Sequence, residues 1–187
     1  MSVFKFVLRL VLPLFLIIVV VAAALGGINA ITRDRIADAQ AQKVQQAIAE
    51  VLSDSSNIQQ IPFSAEEHSL VKSVYAAATG FAVEVEPAGF GGGIRMMVGV
   101  DMDGKVLGIS IIRHTETAGL GAVAGASTAK GQAFRDSFKG LFYPVSASKD
   151  GGEADTITGA TITSRAVADG VNAALRCVEN LSKEALS

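Results

Sequence analysis

The sequence predicts an α+β protein: one N-terminal transmembrane helix, then an antiparallel-sheet domain with flanking helices. Three observations lead there. An uncharged apolar run from Leu10 to Thr32 opens the chain, short glycine-punctuated strands fill its middle, and two helical stripes close it. Strands first and helices later argue against alternating βαβ units around a parallel sheet. A length of 187 residues suits one modest domain plus an appendage. The expected divisions are a tail over 1–9, a transmembrane helix over 10–32, an amphipathic helix and linker over 33–67, and the folded domain over 68–187.

The opening run, "LVLPLFLIIVVVAAALGGI", accounts for the positive mean hydropathy of +0.42. At a rise of about 1.5 Å per residue, roughly 20 apolar residues cross a bilayer core, so the run is long enough. A cleaved signal sequence is the rival, because Lys5 and Arg9 precede the run and Ala22 to Gly27 are small. Its apolar segment would stop after about 7–15 residues, and this one continues, which favours a retained, single-pass anchor with lipid as its surroundings. Pro13 falls near the first turn of the span, where a helix tolerates it. Lys5 and Arg9 lie before the span and Arg33, Arg35 and Lys43 after it, so charge does not decide the orientation.

Beyond the span, Ile36, Val44, Ala47, Ile48, Val51 and Leu52 recur at helical spacing. "SDSSNIQQIPFS" then reads as a loop. The strands follow: "LVKSVYAAA", "FAVEVE", "IRMMVGV" and "KVLGISII" are rich in β-branched residues and separated by "TG", "GFGGG" and "DMDG". "VGVDMDGKVLGI" is a hairpin; Asp101 and Asp103 lack the later acidic ligands of a calcium loop. Glu84 and Glu86 share one strand face, expected to be solvated. Phe134, Phe138 and Leu141 line one helix, with Gly140 as its stop. Val167, Val171, Ala174, Val178 and Leu181 line a second.

Composition removes several functions. A formal net charge of -2 and a pI near 5.7 give no basis for a nucleic-acid partner. Cys177 is the only cysteine, which excludes an intramolecular disulfide and a self-contained cysteine-ligated iron–sulfur or zinc site. No metal site is expected.

The chemistry gathers in "DTITGATITSRA", residues 155–166, where four Thr and one Ser surround a Gly-Ala step. The apolar stripe begins at Val167, so the last helix should start near Thr163 or Ser164, either of which could cap it. Free N–H groups and the positive end of the helix dipole favour phosphate there. Gly159 and Ala160 are small enough to let a bulky group approach. On these residues alone an overbuilt cap is the leading reading, and a hydroxyl that carries a group covalently is its rival.

"DTITGAT", Asp155 to Thr161, resembles the flavinylation motif of the FMN-binding domain family, Asp-x-x-Ser/Thr-Gly-Ala-Thr. The resemblance implies FMN joined through its phosphate to Thr161 by a flavin transferase that uses FAD. Asp155 would serve the transferase or the local turn. Thr158 fills the Ser/Thr position, and Gly159 and Ala160 give access. "RHTETAGLGA", Arg113 to Ala122, is similar to that family's His-x-Glu-Thr-Pro-Gly-Leu-Gly segment. Glu116, Thr117 and Leu120 match and imply a loop near the isoalloxazine ring, while Ala118 stands where proline is usual and leaves φ unfixed.

With its single span and short interval before the domain, the chain resembles the G subunits of Rnf-type electron-transport complexes. The C subunits of sodium-pumping NADH:quinone reductases are the alternative, and a flavin-free, membrane-tethered interaction domain is the alternative from another class. The resemblance implies an electron-relay subunit between ferredoxin and NAD in an ion-translocating oxidoreductase, partnered by the other subunits of the complex. It implies no catalytic residue of its own. The domain would face the outer side of the bacterial inner membrane.

Overall fold

The computed structural model describes residues 3–52, 57–64 and 68–184 of the chain. The chain divides into two compact units, Met1–Gln42 and Lys43–Ser187. Helix α1, Val3–Val51, starts in the first unit and contributes its last turns to the second. Its apolar side chains from Val11 to Ile31 are exposed, as in a helix whose partner is lipid, and it is long and apolar enough to cross a membrane. Pro13 lies in the helix interior and not in its first turn, because α1 begins at Val3, ahead of the apolar run. Membrane helices tolerate such a proline.

The second unit is built on a five-stranded antiparallel meander in the order β1-β2-β3-β4-β5. Its strands are β1 Gln59–Ile61, β2 Val71–Ala77, β3 Gly80–Val85, β4 Arg95–Val100 and β5 Val106–Arg113. Four of them are the segments expected from the sequence. The first, β1, falls inside the stretch read as a loop, because three residues with Gln59 and Gln60 exposed carry too little alternation to be seen. The β4–β5 hairpin turns as expected on Asp101, whose Oδ1 accepts the N–H groups of Asp103 at 3.0 Å and Lys105 at 2.8 Å.

Both faces of the sheet are covered. On one face Val83, Val85, Met96, Val98 and Val100 pack with α2, Ala129–Asp136, and α3, Thr161–Glu184. Phe134 and Phe138 meet edge to face there, 5.4 Å apart. On the other face the last turns of α1, through Val44, Ala47, Ile48 and Val51, pack on Ala82 and Met97. Val51 lies directly over Gly99, where a side chain would come within 2.6 Å of its carbonyl oxygen. Ser110 Oγ donates to Glu50 Oε2 at 2.5 Å and fastens the same turn.

That covered face corrects one expectation. Glu84 is buried, not solvated. It alternates with Val83 and Val85 and so shares the sheet face of Ala82 and Met97. Its carboxylate is satisfied by Ser73 Oγ, which donates at 2.6 Å, and by Arg95 Nε. This pairing raises the Arg95 pKa further above its ordinary value, chiefly through that hydrogen bond. Glu86, past the strand end, is half-buried beside Lys72 and Arg113.

Candidate functional site

Three segments converge at one end of α3: the glycine loop before β4, the loop after β5 that contains Glu116, and the turn into α3. The turn is closed by the Ala160 N–H donating to the Ile157 carbonyl at 2.9 Å, with Gly159 at φ 82°, where other residues are strained. The loop after β5 folds back through Thr117, whose carbonyl accepts from the N–H groups of Leu120 and Ala122. It then runs into a 3-10 turn over Gly121–Gly125. Arg135 of α2 holds that turn by donating from Nη1 to the carbonyls of Ala124 at 2.7 Å and Ala126 at 3.0 Å.

Between these segments lies a cleft of about 340 Å³. Six residues singled out from the sequence line it: Glu116, Thr117, Leu120, Gly159, Ala160 and Thr161. The other two do not. Asp155 and Thr158 line a neighbouring cleft with Gly119, Lys130 and Phe134, on the far side of the Gly159 turn. Sequence reasoning missed Phe90, Gly121 and Ile162, and read Thr163 as a possible cap and as the next candidate for attachment after Thr161. Phe90 and Ile162 were findable: one is an aromatic set among four glycines, the other an apolar residue off the buried stripe of α3. Both are large apolar side chains left more than half exposed, at 69% and 52%.

Helix α3 begins at Thr161, not at Thr163 or Ser164. Neither expected cap does the capping. Thr163 Oγ1 donates to Glu116 Oε2 at 2.5 Å, and Ser164 Oγ donates to the Ala160 carbonyl at 3.0 Å while accepting from the Ile157 N–H. The Ser164 N–H makes the first helical bond, to Ala160, so the N–H groups of Thr161, Ile162 and Thr163 stand in the open first turn.

The hydroxyls of the segment thereby sort themselves. Thr156 pairs with Ser148 at 2.9 Å in the preceding loop. Thr163 and Ser164 are buried and committed. Thr158 is exposed in the other cleft. Thr161 lines the apolar cleft, is half-buried, and makes no side-chain hydrogen bond among the described residues. The loop before it is anchored by Arg165, which donates from Nε and Nη2 to the two oxygens of Asp150 at 2.8 and 2.6 Å. That fork holds the Asp150 carboxyl below its ordinary pKa.

An apolar-walled cleft with an open helix N-terminus at its edge suits a phosphate-bearing planar ligand, and the FMN-binding domain family matches residues 89–176, which include every residue lining it. The likeness to whole proteins is more particular. The chain is 32% identical over 202 residues to the G subunit of the Na(+)-translocating ferredoxin:NAD(+) oxidoreductase complex of Acetobacterium woodii, covering 96% of this chain and 95% of that one. It is 29% identical over 187 residues to the G subunit of the ion-translocating oxidoreductase complex of Methanosarcina acetivorans, covering 94% and 96%. Over 112 residues it is 40% identical to the G subunit of the proton-translocating ferredoxin:NAD(+) oxidoreductase complex of Clostridium ljungdahlii, covering 57% and 60%. The chain belongs to this family, the G subunits of ion-translocating oxidoreductase complexes.

Proposed function

We propose that this protein is the membrane-anchored flavin subunit of an ion-translocating ferredoxin:NAD oxidoreductase complex, with FMN esterified to Thr161. One observation carries the assignment of the residue. Of the hydroxyls between Asp155 and Ala166, Thr161 alone both lines the apolar cleft and is uncommitted to any described residue.

The residues fit the group. A volume near 340 Å³ lies within the span of small-molecule sites, roughly 300–1,000 Å³. Phe90, Leu120 and Ile162 offer the exposed apolar surface that a flat ring system would cover. The open N–H groups of Thr161, Ile162 and Thr163, with the helix dipole behind them, suit a phosphate diester. In attachment, the Thr161 Oγ–P bond forms and the pyrophosphate bond of FAD breaks. AMP leaves with the bonding pair, and the hydroxyl proton passes to the transferase or solvent.

FMN supplies reversible electron uptake and release when bound. The chain would supply the rest: the first turn of α3 would hold the phosphate, and Phe90, Leu120 and Ile162 would shield the ring from water. Helix α1 keeps the carrier beside its partner subunits, which raises their effective concentration. The compact unit faces the outer side of the membrane in this reading, on a single span.

The test is intact mass and in-gel fluorescence of the chain co-expressed with a flavin transferase. The native chain and Thr158→Ala should gain one FMN phosphoryl unit and fluoresce, while Thr161→Ala should be dark and unmodified. A modified Thr161→Ala protein would move the ester to another hydroxyl, and an unmodified native chain would remove the flavin carrier altogether.

A further inference from the structure

The Glu116 carboxylate sits behind the cleft and not at its mouth. It is 8% exposed. Its Oε1 accepts the Gly91 N–H at 3.0 Å, and its Oε2 accepts the Thr163 O–H at 2.5 Å, within the range of a hydroxyl donating to an anion. The same two oxygens fill the space beside Gly89 and Gly121, where any side chain would overlap them. Each of the three apolar residues at the rim is therefore the chain neighbour of a residue that touches this one side chain. Phe90 lies between Gly89 and Gly91, Leu120 precedes Gly121, and Ile162 precedes Thr163.

We propose that Glu116 is a positioning residue, which sets the spacing of Phe90, Leu120 and Ile162 and so the pose of the flavin ring, without itself serving as attachment point, acid or base. The part concerning the ring rests on the proposed function; the part concerning the walls does not. The physical reason is cost. A buried carboxylate left without donors is expensive, so the three segments can separate only by exposing or orphaning it. Loops with no such tie move on nanosecond to microsecond scales. A second bond, from Thr115 Oγ1 to the Gly91 carbonyl at 2.8 Å, joins two of the walls but does not reach α3.

Glutamine and alanine separate position from charge. In Glu116→Gln the amide oxygen can accept from Gly91, and the amide nitrogen can donate to Thr163, whose hydroxyl reverses its role. In Glu116→Ala both ties go. Full-length native chain, Glu116→Gln and Glu116→Ala are compared with and without a co-expressed flavin transferase. With it, all three should carry the same added mass, since Thr161 is intact. The visible circular dichroism of the attached flavin should persist in native and Gln proteins and be mostly lost in Ala. Without it, amide exchange at Gly91 should quicken about tenfold in Ala, the loss of one hydrogen bond, and stay near native in Gln.

Native dichroism and native Gly91 exchange in Glu116→Ala would overturn the proposal, as would equal losses in Gln and Ala. Should Glu116→Ala fail to fold, Thr163→Val removes one tie at constant size and should weaken the same dichroism; an unchanged signal there overturns it. A native chain that takes up no flavin overturns the functional reading instead, and Gly91 exchange still decides whether Glu116 ties the walls.

Discussion

Gly159 and its neighbours illustrate what single residues contribute. The turn that presents Thr161 needs φ near 82° at Gly159, and a methyl group there would come within 3.1 Å of Leu120 Cδ2. Gly159→Ala should cost about 1–2 kcal/mol through the left-handed backbone alone, with a fall of several degrees in thermal midpoint in detergent. Flavin loading should drop with it. Thr158→Ala, one residue away and exposed, should stay within about 0.5 kcal/mol of native. Equal midpoints for the two variants would show that the turn is not strained by a side chain. At this scale the motif positions were legible in the chain, but the bonds were not. Nothing in "TITSRA" distinguishes a threonine that caps from one that donates to a glutamate 47 residues away.

Elements divide along similar lines. The stripe Val167, Val171, Ala174 and Val178 is buried along α3 as its period requires, with Leu181 packed against the core. Two of the mistaken local readings, the solvated Glu84 and the unstructured stretch that holds β1, share a cause. Each depends on what lies across the sheet or beside its edge, which a window of ten residues does not contain. Glu84 is met by Ser73 and Arg95 from neighbouring strands, and β1 is ordered by pairing with β2. The last turns of α1 cover Ala82 and Met97, and Gly99 makes room for them. A Cβ at Gly99 would stand 2.6 Å from the Val51 oxygen and 2.9 Å from its Cβ. Gly99→Ala should therefore lift this turn and destabilise the compact unit by about 1–3 kcal/mol, as overpacking does. Denaturant unfolding measures the loss, and limited trypsinolysis should cut faster at Lys43. Native unfolding with native cleavage would show that the turn adapts at no cost.

For the whole molecule the governing contrast is between a helix that exposes its apolar side chains and a unit that buries its own. Val11 to Ile31 are exposed, whereas Val74, Val83, Val98 and Ile48 are fully enclosed. High-salt and alkaline washes should leave the chain in the membrane pellet, with release only by detergent. Protease added to spheroplasts should digest the compact unit, and inside-out vesicles should protect it; the reverse pattern would invert the proposed orientation. Local order along the chain, the period of hydrophobicity and the placement of glycine, is enough to specify an apolar anchor, an antiparallel sheet and the long last helix, because those depend on neighbours within a turn or a strand. The helix expected through Phe138 and Leu141 stops at Asp136, and both side chains reach the core from the turn beyond it. The cleft is different in kind. Gly91, Glu116 and Thr163 lie far apart in the chain and meet only after sheet and helix have packed, since hydrogen-bond geometry is settled by distance in space and not by spacing along the backbone.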